Sequence, residues 1–207
     1  MAGEAMSLPI KPAIAWPLLG LLLLAAGLAL WLALPSTDSH VLGIFRFDPS
    51  CALVPLASLL TNAGGFITLG PVALAAVLLL AFRRQKAEAL WLFLAVGSGR
   101  LFVEAAKEIL ARPRPPLVGR LDEVTSLSFP SSHAAGSMLT MLALALLFAR
   151  DRNWLTPVLA GFALAVGWSR LALGVHWPSD VLAGWGVALI WIGIASRWLP
   201  RAAGPYA

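Results

Sequence analysis

WLTPVLAGFALAVGWSRLALGVHWPSDVLAGWGVALIWIGIASRW, residues 154–198, is two apolar runs separated by a short polar passage. Each run, Trp154–Leu173 and Ser179–Trp198, has the roughly 20 residues that an α-helix needs to cross a bilayer core. In lipid the backbone must satisfy its own polar groups, and a helix does so within one segment. Two such helices with so short a connection lie antiparallel. The charges gather at the junction, in Ser169-Arg170 and in His176-Trp-Pro-Ser-Asp180.

The rest of the chain repeats this pattern. Further apolar segments run over Ala13–Leu34, Leu56–Phe82, Ala89–Leu110 and Ala134–Phe148, making six candidate spans. The fourth reaches spanning length only if it begins near Ser131. The first is longer than the apolar core of a signal peptide and reads as an uncleaved span. Of the 207 residues, 59% are hydrophobic and 12% charged, with a mean hydropathy of +0.84. A soluble domain carries about 25% charged residues. The composition therefore predicts an all-α integral membrane bundle of six transmembrane helices, one domain over 1–207, with short tails at 1–12 and 199–207. The net charge of +5 belongs to loops that orient the chain, not to nucleic-acid binding. A single cysteine, Cys51, excludes an internal disulfide. Trp16, Trp31, Trp91, Trp154, Trp177 and Trp198 lie near span ends, as interfacial anchors do, whereas Trp185 and Trp191 read as helix contacts.

Six spans put both termini on one side. That side carries Lys11, Arg83, Arg84, Lys86, Arg150, Arg152, Arg197 and Arg201; the other carries Arg46, Lys107, Arg112, Arg114, Arg120 and Arg170. Setting aside Lys107, Arg114 and Arg170, which have a chemical use, the bias places both termini in the cytoplasm of an inner membrane.

Three polar clusters then fall at the non-cytoplasmic helix ends: Lys107 to Arg114-Pro115, Pro130-Ser131-Ser132-His133, and Ser169-Arg170 with His176 and Asp180. Lys107, Arg114 and Arg170 can surround a phosphoryl group, and the planar guanidinium fork suits its oxygens. Ser131 offers a hydroxyl. The backbone N–H groups of Ser132 and His133 open a helix and form an anion seat. His176 and Asp180, four apart, share a helical face, so the carboxylate can orient the imidazole.

In order and spacing these parts resemble the signature of the type-2 phosphatidic acid phosphatase superfamily: lysine, six residues, Arg-Pro; Pro-Ser-Gly-His; and Ser-Arg, five residues, His, three residues, Asp. Ser132 stands where the family usually has glycine. The resemblance implies a metal-independent phosphatase without a cofactor. In it His176 attacks phosphorus, Asp180 holds its tautomer, and His133 protonates the leaving oxygen and then activates water. Lys107, Arg114, Arg170, Ser131 and the Ser132 backbone would stabilise the equatorial oxygens. The implied partner is a membrane lipid bearing a phosphate, reached from the outer face. Candidates by family analogy are undecaprenyl diphosphate, phosphatidylglycerophosphate, phosphatidic acid and lipid A phosphate, with transfer to another lipid as a variant. The vanadate-dependent haloperoxidases share the motifs but are soluble.

A metal held by His133, His176 and Asp180 would be repelled by three surrounding cations. A transporter would place polar residues along its length, whereas here they crowd one end. Arg100, Glu104 and Lys107 share a helical face, and Glu104 is expected to bridge Arg100 and position Lys107. Arg112 and Arg120 either gather an anionic headgroup or are solvated. Asp122 and Glu123 are expected to face solvent, as is His40 in a loop over Pro35 to Ser50.

Overall fold

The computed structural model describes residues 12–149, 152 and 154–200. Among them the chain is all-helical: α1 (Pro12–Leu32), α2 (Pro35–Phe45), α3 (Val54–Gly64), α4 (Phe66–Phe82), α5 (Lys86–Leu110), α6 (Ser132–Phe148), α7 (Leu155–Ala172) and α8 (Pro178–Ala195), followed by a 3-10 turn at Ser196–Trp198. Four helices, α1, α5, α7 and α8 with its turn, are long and apolar enough to cross a bilayer; α3 and α4 make a fifth span if counted together. At 17 residues α6 rises only about 26 Å, short of a core of about 30 Å. Most of the two tails lies outside the described residues, and so do Lys11, Arg150 and Arg201.

Two expectations are corrected. The second span is not one helix: α3 and α4 meet at a 42° bend. Gly65 sits at the bend with extended backbone (φ −70°, ψ 164°), and a Gly64-Gly65 pair is a weak place for a helix to continue. The Pro35 to Ser50 segment is not simply a loop, because its first part forms α2. Pro35 stands in the first turn, where its missing N–H costs nothing, and Asp38 faces the positive end of the helix dipole.

At the centre, α6 packs against α5, α7 and α8, around Leu92, Leu139, Ala143, Ala188 and Ile192. α1 lies along α8. Their backbones touch: a Cβ on Gly20 would stand 2.6 Å from the Gly186 carbonyl oxygen, and one on Gly186 2.7 Å from the Gly20 oxygen. Where lipid tails are as apolar as leucine, such close backbone approach is what holds helices together. The opposite faces of α1 and α4 expose Leu18, Leu22, Leu74 and Leu78, which suits contact with lipid tails. The tryptophans divide differently from expectation. Trp154 and Trp198 are exposed near helix ends, but Trp91 is buried and donates to the Ala195 carbonyl (2.9 Å).

Candidate functional site

One end of the bundle collects the start of α6, the start of α8, the ends of α5 and α7, and the connection between α5 and α6. α5 stops at Ala111, which takes a left-handed conformation (φ 45°) with its N–H on the Lys107 carbonyl. Pro113 and Pro115 prevent the helix from resuming. The chain therefore turns back across the bundle end, carrying Arg112, Arg114, Asp122 and Ser128 over the helix starts.

α8 begins at Pro178, and Asp180 closes its first turn by accepting the backbone N–H of Trp177 (2.9 Å). The oxygen that caps the helix, Oδ2, also meets His176 Nδ1 at 3.1 Å and accepts the Ser128 hydroxyl at 2.5 Å. Oδ1 accepts from Arg112 Nη1 at 2.7 Å. The carboxylate is buried and saturated with donors. With Nδ1 bound to a carboxylate, the imidazole carries its hydrogen there and turns the Nε2 lone pair outward. Arg114 Nη1 meets that nitrogen at 2.9 Å. His176 is 1% exposed. Burial, and after it the cations Arg114, Arg170 and Lys107, hold its pKa well below the usual histidine value. The ring is therefore neutral at physiological pH.

The three expected cations are all here, differently engaged. Lys107, buried in the last turn of α5, donates to the Leu127 carbonyl (3.1 Å). Besides its contact with His176, Arg114 donates to the carbonyls of Ser126 (2.6 Å), Leu127 (3.1 Å) and Val175 (2.8 Å) and to the Ser126 hydroxyl. Burial and the neighbouring Arg170 lower its pKa to about 10, which leaves it charged at neutral pH. Arg170, 1% exposed at the end of α7, differs from both. Its Nη1 donates to Asp122 (2.9 Å) and to the Thr61 hydroxyl, while its Nε and Nη2 are buried without a partner among the described residues. Those two atoms form one edge of the guanidinium, the edge that takes two oxygens of an anion side by side.

On α6, Ser131 is the N-cap; its hydroxyl accepts the Ala134 N–H at 3.5 Å, and its own N–H donates to the Asp180 carbonyl (3.0 Å). That bond ties the second cluster to the third. Ser132 donates its hydroxyl to Glu104 (2.5 Å). His133 follows in the first turn, half-buried, with Nε2 toward the α3–α4 bend; a Cβ on Gly65 would stand 3.3 Å from it. His133 makes no side-chain hydrogen bond to the described residues, yet it lies near enough to add to the field on His176.

All eight expected site residues thus meet at one end. Several neighbours depart from expectation. Glu104 does not bridge Arg100 among the described residues; it holds Ser132, and Arg100 lies over the Phe66 ring (5.2 Å) with Nη2 unpartnered. Arg112 is neither solvated nor free for a headgroup, being buried on Asp180 and Asp38. Asp122 is held by Arg170, and Arg120 donates to the Pro115 carbonyl (2.8 Å). Glu123 and His40 are exposed, as expected, although His40 is on α2. The sequence reading missed Asp38, Ser128 and Ser179. For Asp38 a signal existed in Pro35-Ser-Thr-Asp38, which reads as a helix start. Among the described residues no three His, Cys, Asp or Glu side chains are grouped to hold a metal ion.

Two solved structures share this architecture. One is a transmembrane PAP2-type phosphatidylglycerolphosphate phosphatase from Bacillus subtilis, 25% identical, with a TM-score of 0.73, covering 91% of this chain and 96% of that one. The other is LpxE from Aquifex aeolicus, 20% identical, with a TM-score of 0.60 and coverage of 77% and 93%, a likeness of fold. Among curated proteins none matches. The family model described as the PAP2 superfamily matches residues 88–203, more than half of the chain and all three polar clusters, and the chain belongs to that superfamily.

Proposed function

We propose that the chain is a single-domain, six-span membrane enzyme that hydrolyses a lipid phosphate or diphosphate through a phosphohistidine. The observation that carries this reading is the pairing of two features. A neutral imidazole is fixed by a saturated carboxylate, and a buried guanidinium edge in the same site has no partner among the described residues. The first is an activated nucleophile and the second a seat for a phosphoryl group.

In this reading phosphate oxygens bind Arg170 Nε and Nη2 and the Lys107 ammonium. The anion also gives Arg114 Nη1 a better acceptor than an imidazole nitrogen, so Arg114 leaves Nε2 and the nucleophile is exposed. His176 Nε2 then forms a bond to phosphorus as the bond to the lipid oxygen breaks. Asp180 stabilises the imidazolium that results. His133, whose protonated form the arriving phosphate favours, gives its proton to the leaving oxygen. In the second half-reaction His133 takes a proton from water, the resulting hydroxide attacks phosphorus, and the P–N bond breaks to release phosphate. Charge on the equatorial oxygens is balanced by three fixed cations, and such positioning carries most of the catalysis in phosphoryl transfer.

Exposed Arg83, Arg84, Lys86, Arg152 and Arg197 at the opposite end support cytoplasmic termini and a site at the outer face. A membrane-borne substrate is supported by an apolar cavity of about 160 Å³ between α4 and α5, lined by Phe66, Gly70, Leu74, Phe93 and Arg100, which starts beside the bend at His133. The candidates are undecaprenyl diphosphate, phosphatidylglycerophosphate, phosphatidic acid and lipid A phosphate.

The test is phosphate release from these four lipids and from soluble glycerol phosphate, in detergent with a chelator present. Turnover of at least one lipid is expected, with a loss of about 10⁴-fold or more in His176→Ala. Activity on the soluble ester alone removes the lipid assignment. A requirement for added metal removes the mechanism.

A further inference from the structure

We propose that Asp38 and Arg112 are positioning residues for Asp180, a relay that runs from α2 through the chain after α5 to the carboxylate holding His176. The inference rests on the reading of His176 as the nucleophile.

The geometry is continuous. Asp38, 1% exposed, accepts Arg112 Nη2 at 2.8 Å, the Ser179 backbone N–H at 3.0 Å and the Ser179 hydroxyl. Arg112 Nη1 donates to Ser179 Oγ (2.5 Å) and to Asp180 Oδ1 (2.7 Å). The guanidinium lies over the Trp31 ring at 5.0 Å and the Trp177 ring at 5.4 Å, so its plane is fixed by aromatic faces as well as by its acceptors.

Two consequences for His176 follow. First, Asp180 divides its oxygens: Oδ1 serves Arg112, while Oδ2 serves His176, Ser128 and the Trp177 N–H. A carboxylate pinned at Oδ1 cannot rotate Oδ2 away from the imidazole. Second, the charges sum usefully. Arg112 alone would neutralise Asp180 and weaken its hold on an imidazolium. Asp38 restores one negative charge, so the buried trio carries a formal −1 beside the ring. A buried ion triad is a poor device for stability, since apolar residues often do as well. Its placement on the carboxylate that touches His176 points to use.

Steady-state kinetics with the lipid phosphate that the panel finds fastest decides it, with kcat and KM read separately. Asp38→Asn is expected to lower kcat about 5- to 10-fold and Arg112→Gln about 30- to 100-fold, with KM within about threefold in both. Because the residues act in series, adding Arg112→Gln to Asp180→Asn is expected to lower kcat no further. Losses that multiply instead, a change in KM alone, or an unchanged kcat in folded Asp38→Asn overturn the relay. Should Arg112→Gln not fold, the isosteric pair Asp38→Asn and Asp180→Asn carries the same test. His176→Ala retaining turnover overturns the relay together with the nucleophile. An inactive His176→Ala beside relay variants with wild-type kcat overturns the relay alone.

Discussion

The two histidines of the site live in unlike surroundings. Around His176 every neighbour is spoken for: Asp180, Ser128, Arg112 and Arg114 form one hydrogen-bonded block anchored on the first turn of α8. Around His133 the structure is open. The ring makes no side-chain hydrogen bond to the described residues and leans toward a bend between two helices, with the unpartnered edge of Arg170 also in the site. A nucleophile must be held in one tautomer and one orientation before the substrate arrives, and the cost of holding it is met during folding. A group that moves a proton to one oxygen and then from another gains nothing from being locked. In the proposed reaction the substrate itself completes the His133 side.

The sharpest way to break this contrast is His133→Gln, which keeps the bulk of the side chain and removes its proton chemistry. Loss of about 10²- to 10³-fold in kcat/KM, which reports the first half-reaction alone, is expected with a natural lipid ester, and a much smaller loss with a lipid analogue whose leaving group is a nitrophenolate, which needs no protonation; kcat, which includes attack by water, is expected to fall on both. Equal losses in kcat/KM on both substrates would assign His133 to binding. A smaller effect is expected at the bend. Gly65→Val crowds the open side without removing a polar group, because the added carbon lies 3.3 Å from His133 Nε2 before any branch is counted. A fall in kcat of about 10-fold with unaltered folding is expected, and wild-type turnover would show that the ring has room to give.

The smallest effect belongs to the rigid side. His176 stays neutral in the folded state because burial holds its pKa well below the usual value. Once unfolded, it takes a proton near pH 6.5. Below that pH the unfolded chain binds a proton that the folded one refuses, so stability falls as pH falls. The unfolding temperature in detergent is expected to drop between pH 7 and pH 5, and to drop less in His176→Gln. Equal slopes would mean that the imidazole is not held neutral by its surroundings.

Much of this site was legible in the sequence because its residues are tied to helix ends. Arg170, Asp180 and Ser131 stand where apolar runs start or stop, and such boundaries are visible in composition. The bend at Gly65 was less legible. The run from Leu56 to Phe82 is apolar throughout, and hydropathy does not register a change of direction. Asp38 was hidden by a different cause. α2 is too short to read as a span, and a mixed segment after a helix reads as a loop unless its proline and carboxylate are taken as a helix start. Arg112 was hidden by symmetry of type: two arginines flank one proline, and only coordinates separate the one that points at His176 from the one behind Asp180.

The contact between Gly20 and Gly186 has a consequence for biogenesis. α1 enters the bilayer long before α8 has been translated, and the two must find each other across the lipid once the intervening helices are in place. Until then each presents a flat glycine strip to the membrane, and the carboxylate on α8 has not yet met the arginines that await it. The site cannot be complete before α8 arrives, so a chain halted short of it lacks both the Asp180 carboxylate and the surface that covers α1.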